Sequence, residues 1–421
     1  MKKRSWVITF VLVVLAGGPV WVLFIREPVR DGWCVLHRRS VGAPYDSQLI
    51  GFACQLLKPL ASQPEGIRDL PDDFKEPVFY HMELATGPVP IVIDLSKNPR
   101  LCLDADQDGG LVEEQTFRPK SLKVDERRLD RFSPLRLQSA GRDNGETTTA
   151  TFCGIWYSRD QSSYLWLYPT YYRHGKLRLG QTVYHVAVLD GDYDGRFNST
   201  VSLPITDPFR WARADSFAID YDRDGKFEIS LYDRSEVAPL GRLVCVGNAY
   251  YSIDVDPGGR RLALKPVEPA LGRLVVEPAS ALMDLRLWSD AADQHLAAAA
   301  GGWAIPEGRY QTIRAVLYLQ DSDRDDWTLT TDTGGELGAL AQFEVKAGQT
   351  NRLQVGPPFV ITADVRPIRN GRVYISPIIR GQGGEEYQAG FLRNGQRGPK
   401  RAFRIIAEDG TVLAQDTFEY G

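Results

Sequence analysis

Four times in this chain an aspartate recurs at every second position: DADQDG from Asp104, DGDYDG from Asp190, DYDRDG from Asp220 and DSDRDD from Asp321. Each run follows a short apolar segment: Leu101 to Leu103, Val186 to Leu189, Phe217 to Ile219 and Leu317 to Leu319. Three carboxylates two residues apart repel one another in an extended strand, so each run must leave the strand and curl. A curl that turns the carboxylates inward suits a cation. Ca²⁺ accepts six to eight oxygens at flexible angles, whereas Mg²⁺ holds its waters in a tight octahedron. Gly109, Gly195 and Gly225 stand at the sixth position, where the turn is sharpest. Four such runs with matching flanks exceed the chance level for a short motif. The expected architecture is strands joined by acidic hairpin loops.

Composition agrees. Apolar residues make up 43% and charged residues 25%, as in a chain with packed cores. The 39 Gly, 26 Pro and the many aromatics (9 Trp, 18 Tyr, 17 Phe) favour short strands and turns. Lys and Arg total 50 against 54 Asp and Glu, a net of −4, so no basic field for nucleic acid exists. At 421 residues the chain is expected to hold two or three domains.

Lys2, Lys3 and Arg4 precede an apolar run from Trp6 to Ile25. Twenty helical residues span about 30 Å, the hydrocarbon thickness of a bilayer. The expectation over 1–26 is a retained transmembrane helix or a cleaved signal, with the bulk exported either way. The length favours the single-pass anchor, with the membrane as partner and the C-terminal bulk extracytoplasmic. Disulfides are then possible, and Cys34 and Cys54 are candidates; Cys102, Cys153 and Cys245 read as core residues.

Residues 27–75 carry five prolines among polar residues and read as a spacer, with a possible short helix from Ser47 to Leu57. From 76 to 265 alternating short runs predict an Asp-loop β domain. Pro266 and Pro269 mark a boundary, 266–357 a second sandwich, and Gly356-Pro357-Pro358 a further break before a small β unit over 358–421. In that last unit Asp409-Gly410 reads as a hairpin turn. Ala291 to Ala300 is the main helix candidate. The fold class expected is all-β, with tandem sandwich-like domains.

The acidic runs resemble the first half of the EF-hand calcium loop. Position twelve departs from it, holding Gln115, Val201, Leu231 and Asp332 where an EF-hand has glutamate, and strands follow in place of a helix. The second and third runs are closer to the calcium hairpins of FG-GAP repeats, as in integrin α chains. That resemblance implies the ligand sets Asp190, Asp192, Asp194, the Arg196 carbonyl and Asn198, and Asp220, Asp222, Asp224, the Lys226 carbonyl and Glu228. In the first run Asp104, Asp106 and Asp108 need a closing acid, taken as Glu114 (Glu113 is the other choice). In the fourth, Asp321, Asp323 and Asp325 leave Asp332. The stretch from Arg273 to Val355, with Trp303-Ala-Ile-Pro-Glu-Gly-Arg-Tyr, loosely resembles the transthyretin-like or carboxypeptidase-regulatory sandwich. The chain as a whole resembles bacterial surface proteins with EF-hand-like loops.

Other chemistry is thin. His174 and His185 are isolated, no HExxH is present, and no G-x-S-x-G elbow or phosphate loop occurs. Trp156, Tyr157, Tyr164, Trp166, Tyr168, Tyr171 and Tyr172 offer either a sugar-stacking face or core packing. From Arg366 to Arg404 nine basic residues face only Glu385 and Glu386. The expectation is a membrane-anchored calcium-binding structural or binding protein of the cell envelope, with an envelope polysaccharide or protein as partner and no catalytic residue. The alternatives are an extracytoplasmic hydrolase with structural calcium and a carbohydrate-binding module.

Overall fold

The computed structural model describes residues 7–15, 18–26, 29–40, 55–84, 87–96, 98–124, 127–140, 147–159, 162–201, 203, 214–228, 236–278, 282–299, 301–332, 335–367, 373–397, 402–406 and 409–417. The protein is all-β. Among the described residues the one helical element is a 3₁₀ turn, Gly338–Leu340. The chain divides into two compact units, one of residues 1–268 with 290–293, the other of 269–289 with 294–421.

The first unit holds two sandwiches. In the first, Pro77–Leu84, Gly87–Asp94, Arg100–Leu103 and Thr116–Phe117 form an antiparallel sheet. It faces a sheet containing Arg127–Ala140, Thr147–Arg159, Ser162–Pro169 and Gln55–Leu57. Alternation sorts the side chains. Ile91, Ile93, Leu101 and Leu103 point into the shared core with Phe132, Leu165 and Leu167. Val92 and Cys102 point the other way, where Ile67, Leu60, Leu70 and Phe74 cover them. A strand buried on both faces reads as a continuous apolar run, as Val89 to Ile93 does. Truncating Leu165 or Leu167 to Ala leaves a void in this core, at a cost of about 2–5 kcal/mol each.

The second sandwich sets His37–Ser40, Tyr171–Leu179, Thr182–Leu189, Ser216–Ile219 and Val237–Pro239 against Trp33–Val35, Leu243–Val246, Ala249–Val255 and Arg261–Val267. The stretch 27–75, expected as a spacer, therefore supplies edge strands to three sheets and a cover for one face. Its apolar residues follow no regular period, so pattern reading passed over them. Gln55–Leu57 is a strand where a helix was expected; the rest of that expectation, from Ser47, lies outside the described residues.

In the second unit Leu271–Glu277 pairs antiparallel with Trp303–Pro306 and parallel with Thr350–Gln354. This small sheet packs on a nine-stranded one that includes Leu282–Ser289, Gly308–Gln320, Asp326–Asp332, Glu386–Arg393, Val373–Arg380 and Val360–Pro367. The stretch after 358 thus joins this sheet through four strands, the three just named and Gln396–Arg397. Asp409-Gly410 does turn a hairpin, between Ala402–Ile406 and Val412–Thr417. Of the expected helix from Ala291 to Ala300, the described residues 291–299 hold the strand Gln294–Leu296 and no helix; so short a run is marginal as a helix.

No helix is seen in the apolar N-terminal run, where Val7–Leu15 pairs with Gly18–Arg26. Among the described residues no helix is long and apolar enough to cross a membrane. Cys34 is a free thiol, and Cys54, its expected partner, lies outside the described residues. Burial pushes the Cys34 thiol up to about 12, and Cys102, also free, likewise. Both behave as small apolar core residues.

Candidate metal centre

The first three acidic loops share one backbone plan. Each leaves a strand with its first aspartate still buried: Asp104, Asp190 and Asp220. The fourth residue then turns left-handed, Gln107 at φ 61°, Tyr193 at 57° and Arg223 at 67°, and the sixth does so again, Gly109 at 86°, Gly195 at 78° and Gly225 at 87°. Two left-handed residues so close fold the segment back on itself. The carboxylates hold the curl. Oδ2 of the first aspartate accepts the Gly109, Gly195 or Gly225 N–H at 3.2, 3.1 and 3.0 Å. The third-position carboxylate accepts the fifth residue's N–H. The fifth accepts the N–H of Gly110, Arg196 or Lys226, at 2.7 Å in every case. In each triplet one oxygen per residue lies within 4.8 Å of the others.

An acid from outside the short motif closes each loop. The Glu114 carboxylate accepts the N–H groups of Ala105 and Asp106 at 2.6 and 3.3 Å. Glu236 does the same for Tyr221 and Asp222, at 2.6 and 3.3 Å, while its other oxygen takes the Glu228 N–H at 3.1 Å. In the second loop Asp215 accepts from Gly191 at 3.0 Å and from Ser199 at 2.8 Å. Glu114 was within reach of sequence reading. Asp215 and Glu236 were not, since they lie 25 and 16 residues beyond the first aspartate of their loops. Only the pairing of Ser216–Ile219 with Thr182–Leu189 and Val237–Pro239 returns them. Asn198 and Glu228, expected as ninth-position ligands, are exposed.

These sites lack positive charge where it is needed. Asp104, Asp190 and Asp220 are 2%, 5% and 0% exposed, and Oδ1 of each has no hydrogen-bond partner. A buried, unpaired carboxylate oxygen costs several kcal/mol unless a proton or a cation meets it. In the second loop burial, and then the neighbouring Asp192, hold Asp190 and Asp215 well above the usual carboxylate range. The same two causes push Asp194 up to about 6. Burial also raises Asp104 and Glu236. Four acids, Asp190, Asp192, Asp194 and Asp215, thus crowd one buried place, and the arrangement is suited to holding a metal ion.

The fourth loop also brings one oxygen each of Asp321, Asp323 and Asp325 within 4.8 Å of one another, but the protein meets them differently. Arg324, its fourth residue, is also left-handed at φ 65°. Yet Asp326 stands in place of glycine and pairs with Gln320, which closes a tight hairpin. Protein donors take the carboxylates. Trp327 Nε1 donates to Asp321 at 2.9 Å, and Asn394 Nδ2 to Asp325 at 2.6 Å. The Arg393 guanidinium forms an ion pair with Asp325. Asp332 ends the strand that Asp326 begins, about 20 Å away at 3.3 Å per residue, too far to close the loop. A guanidinium fills the role that a cation would take.

The second loop also ties two cores together. Tyr193 enters the core of the first sandwich, where its hydroxyl donates to the Leu167 carbonyl at 2.9 Å. Four residues on, Phe197 enters the core of the second. The first loop instead anchors the covering segment. Leu111 N–H donates to Asp69, Arg68 N–H to the Gly109 carbonyl, and the Arg68 side chain pairs with Asp108.

Of the other candidates, the Tyr164, Trp166, Tyr168 row is broken. Trp166 is 41% exposed while Tyr168 is buried, and Trp156 donates to the Tyr80 hydroxyl. In the basic C-terminal stretch Arg366, Arg380 and Arg393 each pair with an acid.

No family model matches this chain, and no curated protein matches it. A solved leucine-rich repeat protein from Bacteroides thetaiotaomicron VPI-5482 is similar over 55% of this chain and 24% of its own length, at 11% identity and a TM-score of 0.16. A likeness at that level carries no argument, and the functional reading rests on the loops themselves.

Proposed function

We propose that this chain is an exported, membrane-anchored calcium-binding protein of the cell envelope, in which calcium rigidifies the loops of the first unit for a structural or binding role. One observation carries the reading: three loops of one plan each bury a carboxylate oxygen that no protein donor meets. Oxygen-only donors favour a hard cation, and a curl of aspartates with uneven spacing suits calcium better than the octahedron of magnesium. The basic cluster before the apolar N-terminal run supports export of the chain beyond that run. Calorimetry on chelator-treated protein tests the calcium reading. About three calcium ions should bind per chain, with magnesium much weaker; absence of heat with both ions would sink it. A reporter fused after Gly421 should be active only outside the cytoplasm, and cytoplasmic activity would refute export.

A second reading, a carbohydrate-binding surface module, is favoured by one feature. A hollow of about 340 Å³ is lined by Trp33, Tyr251, Arg261 and Lys265, with the Arg30 and Arg261 guanidiniums over the Trp33 ring. Such a hollow suits an acidic sugar. Loss of acidic-polysaccharide binding in Trp33→Ala would favour it; no binding by the wild type would remove it.

A further inference from the structure

Two of the three loops are joined by one short strand. Asp215 closes the Asp190 loop, and the next four residues, Ser216–Ile219, run fully buried through the middle of the sheet. The residue after them is Asp220, which opens the third loop. At the first end Ser216 pairs with Leu189, next to Asp190; at the other Ile219 pairs with Val186 and its N–H donates to the Glu236 carbonyl at 2.9 Å. The strand is clamped at both ends by its neighbours too, through Leu240 N–H to the Asp215 carbonyl at 2.7 Å and Asp220 N–H to the His185 carbonyl at 3.0 Å. At each site one buried oxygen has no hydrogen-bond partner, Oδ1 of Asp190 and Oδ1 of Asp220.

We propose that Asp215 and Glu236 complete two cation sites, opened by Asp190 and Asp220, and that these sites bind their cations as a linked pair through the strand Ser216–Ile219. The inference rests on the calcium reading above and extends it. Asp215 and Asp220 are five residues apart, about 17 Å along an extended strand. The strand itself is the link. Without a cation, Asp190, Asp192 and Asp194 repel Asp215, and the start of the strand is pushed from its place. Four buried residues in a close-packed core move as one piece, so the far end, with Asp220, shifts as well. A cation at either site sets the strand in position for the other. Linkage makes the effect reciprocal. The Asp104 loop lies in another sheet and takes no part.

The test is a calcium titration of the chelator-treated full chain by calorimetry, for the wild type and for Asp106→Asn, Asp222→Asn and Asp192→Asn. Asp106 and Asp222 are exposed, so their variants keep the fold; Asp192 is buried, and the Asp222 variant carries the test alone if the Asp192 variant fails to fold. Asp222→Asn should lose one calcium and weaken one of the two remaining about tenfold or more. Asp106→Asn should lose one and leave both others at wild-type affinity. Glu236→Gln should behave as Asp222→Asn does. Terbium excited through tyrosine reads the linked sites, because Tyr193 and Tyr221 lie in their loops and the Asp104 loop has no aromatic residue. If Asp222→Asn removes one calcium and the other two keep their affinity, the linkage is refuted while the calcium reading stands. If Glu236→Gln keeps full stoichiometry and affinity, the assignment of Glu236 fails. A wild type that binds no calcium overturns both.

Discussion

The loops at Asp190 and Asp321 begin with the same alternation of aspartates and with a left-handed fourth residue, yet they solve the charge problem in opposite ways. At Asp190 the fold adds a fourth acid, Asp215, and buries the group. At Asp321 it adds Arg393, Asn394 and Trp327, and leaves the group at the surface. An acidic motif is therefore half of a site. What the fold brings against it, a further acid at Asp190 or a guanidinium at Asp321, decides how its charge is met.

The largest effect should come from the fourth residue of each loop. Tyr193 fills the core of the first sandwich, and Tyr193→Ala should destabilise the chain by about 3–5 kcal/mol, as truncation of a buried aromatic does. Arg324 is exposed, and Arg324→Ala should change stability by less than about 0.5 kcal/mol. Denaturant melts of the two variants check this; similar losses would break the comparison. Calcium comes next. A site filled at a hundredfold excess over Kd adds about 2.7 kcal/mol. Hydrogen exchange should slow over Thr182–Leu189 and Ser216–Ile219 on adding calcium and stay unchanged over Gly308–Gln320. Protection at the latter would mean that the fourth loop binds the ion too.

Removing the built-in cation should turn one loop type into the other. Arg393→Gln removes the charge that meets Asp325 and leaves the Asn394 hydrogen bond, so exchange in the Asp321 hairpin should quicken in chelator and recover with millimolar calcium. A hairpin indifferent to calcium in this variant would show that the three aspartates alone cannot hold an ion.

The smallest effect is the sign of the pH dependence. In chelator, Asp190 and Asp215 are held well above the carboxylate range and Asp194 near 6, so the folded chain binds these protons more tightly than the unfolded one. Their contribution is complete below about pH 4, where unfolded carboxylates titrate; that of Asp194 is lost as pH rises through about 6, and those of Asp190 and Asp215 as it rises through their own raised values. Asp321 and Asp325 lie below their usual value, through Trp327 for one and through Asn394 and Arg393 for the other. Their contribution is present above about pH 4 and is lost as pH falls through their lowered values. Protection of the Asp190 loop should therefore fall from pH 4 to 7 while that of the Asp321 loop stays level there and falls only below pH 4, and calcium should abolish the first trend. Parallel trends would contradict the assignment of charge at the two loops.

The strands were legible because a half-buried strand writes its burial into its alternation, as at Leu165 and Leu167. The curl of three loops was legible because glycine at the sixth position and acids at the first, third and fifth are local requirements. The fourth-position left turn was not, since Gln107, Tyr193, Arg223 and Arg324 have no side chain in common that marks it. The edge strands between 33 and 57 also escaped, because three or four residues among prolines carry too little pattern.

By itself the sequence determined an all-β chain with four acidic curls at strand ends, since these depend on contacts only a few residues long. Tertiary structure alone decided which curls gather a further acid and which meet a guanidinium. Asp215 and Glu236 reach their loops by strand pairing across 25 and 16 residues, and Arg393 reaches Asp325 across 68. Charge acts through space and falls off with distance and screening, so its balance is settled only when distant parts of the chain are packed side by side.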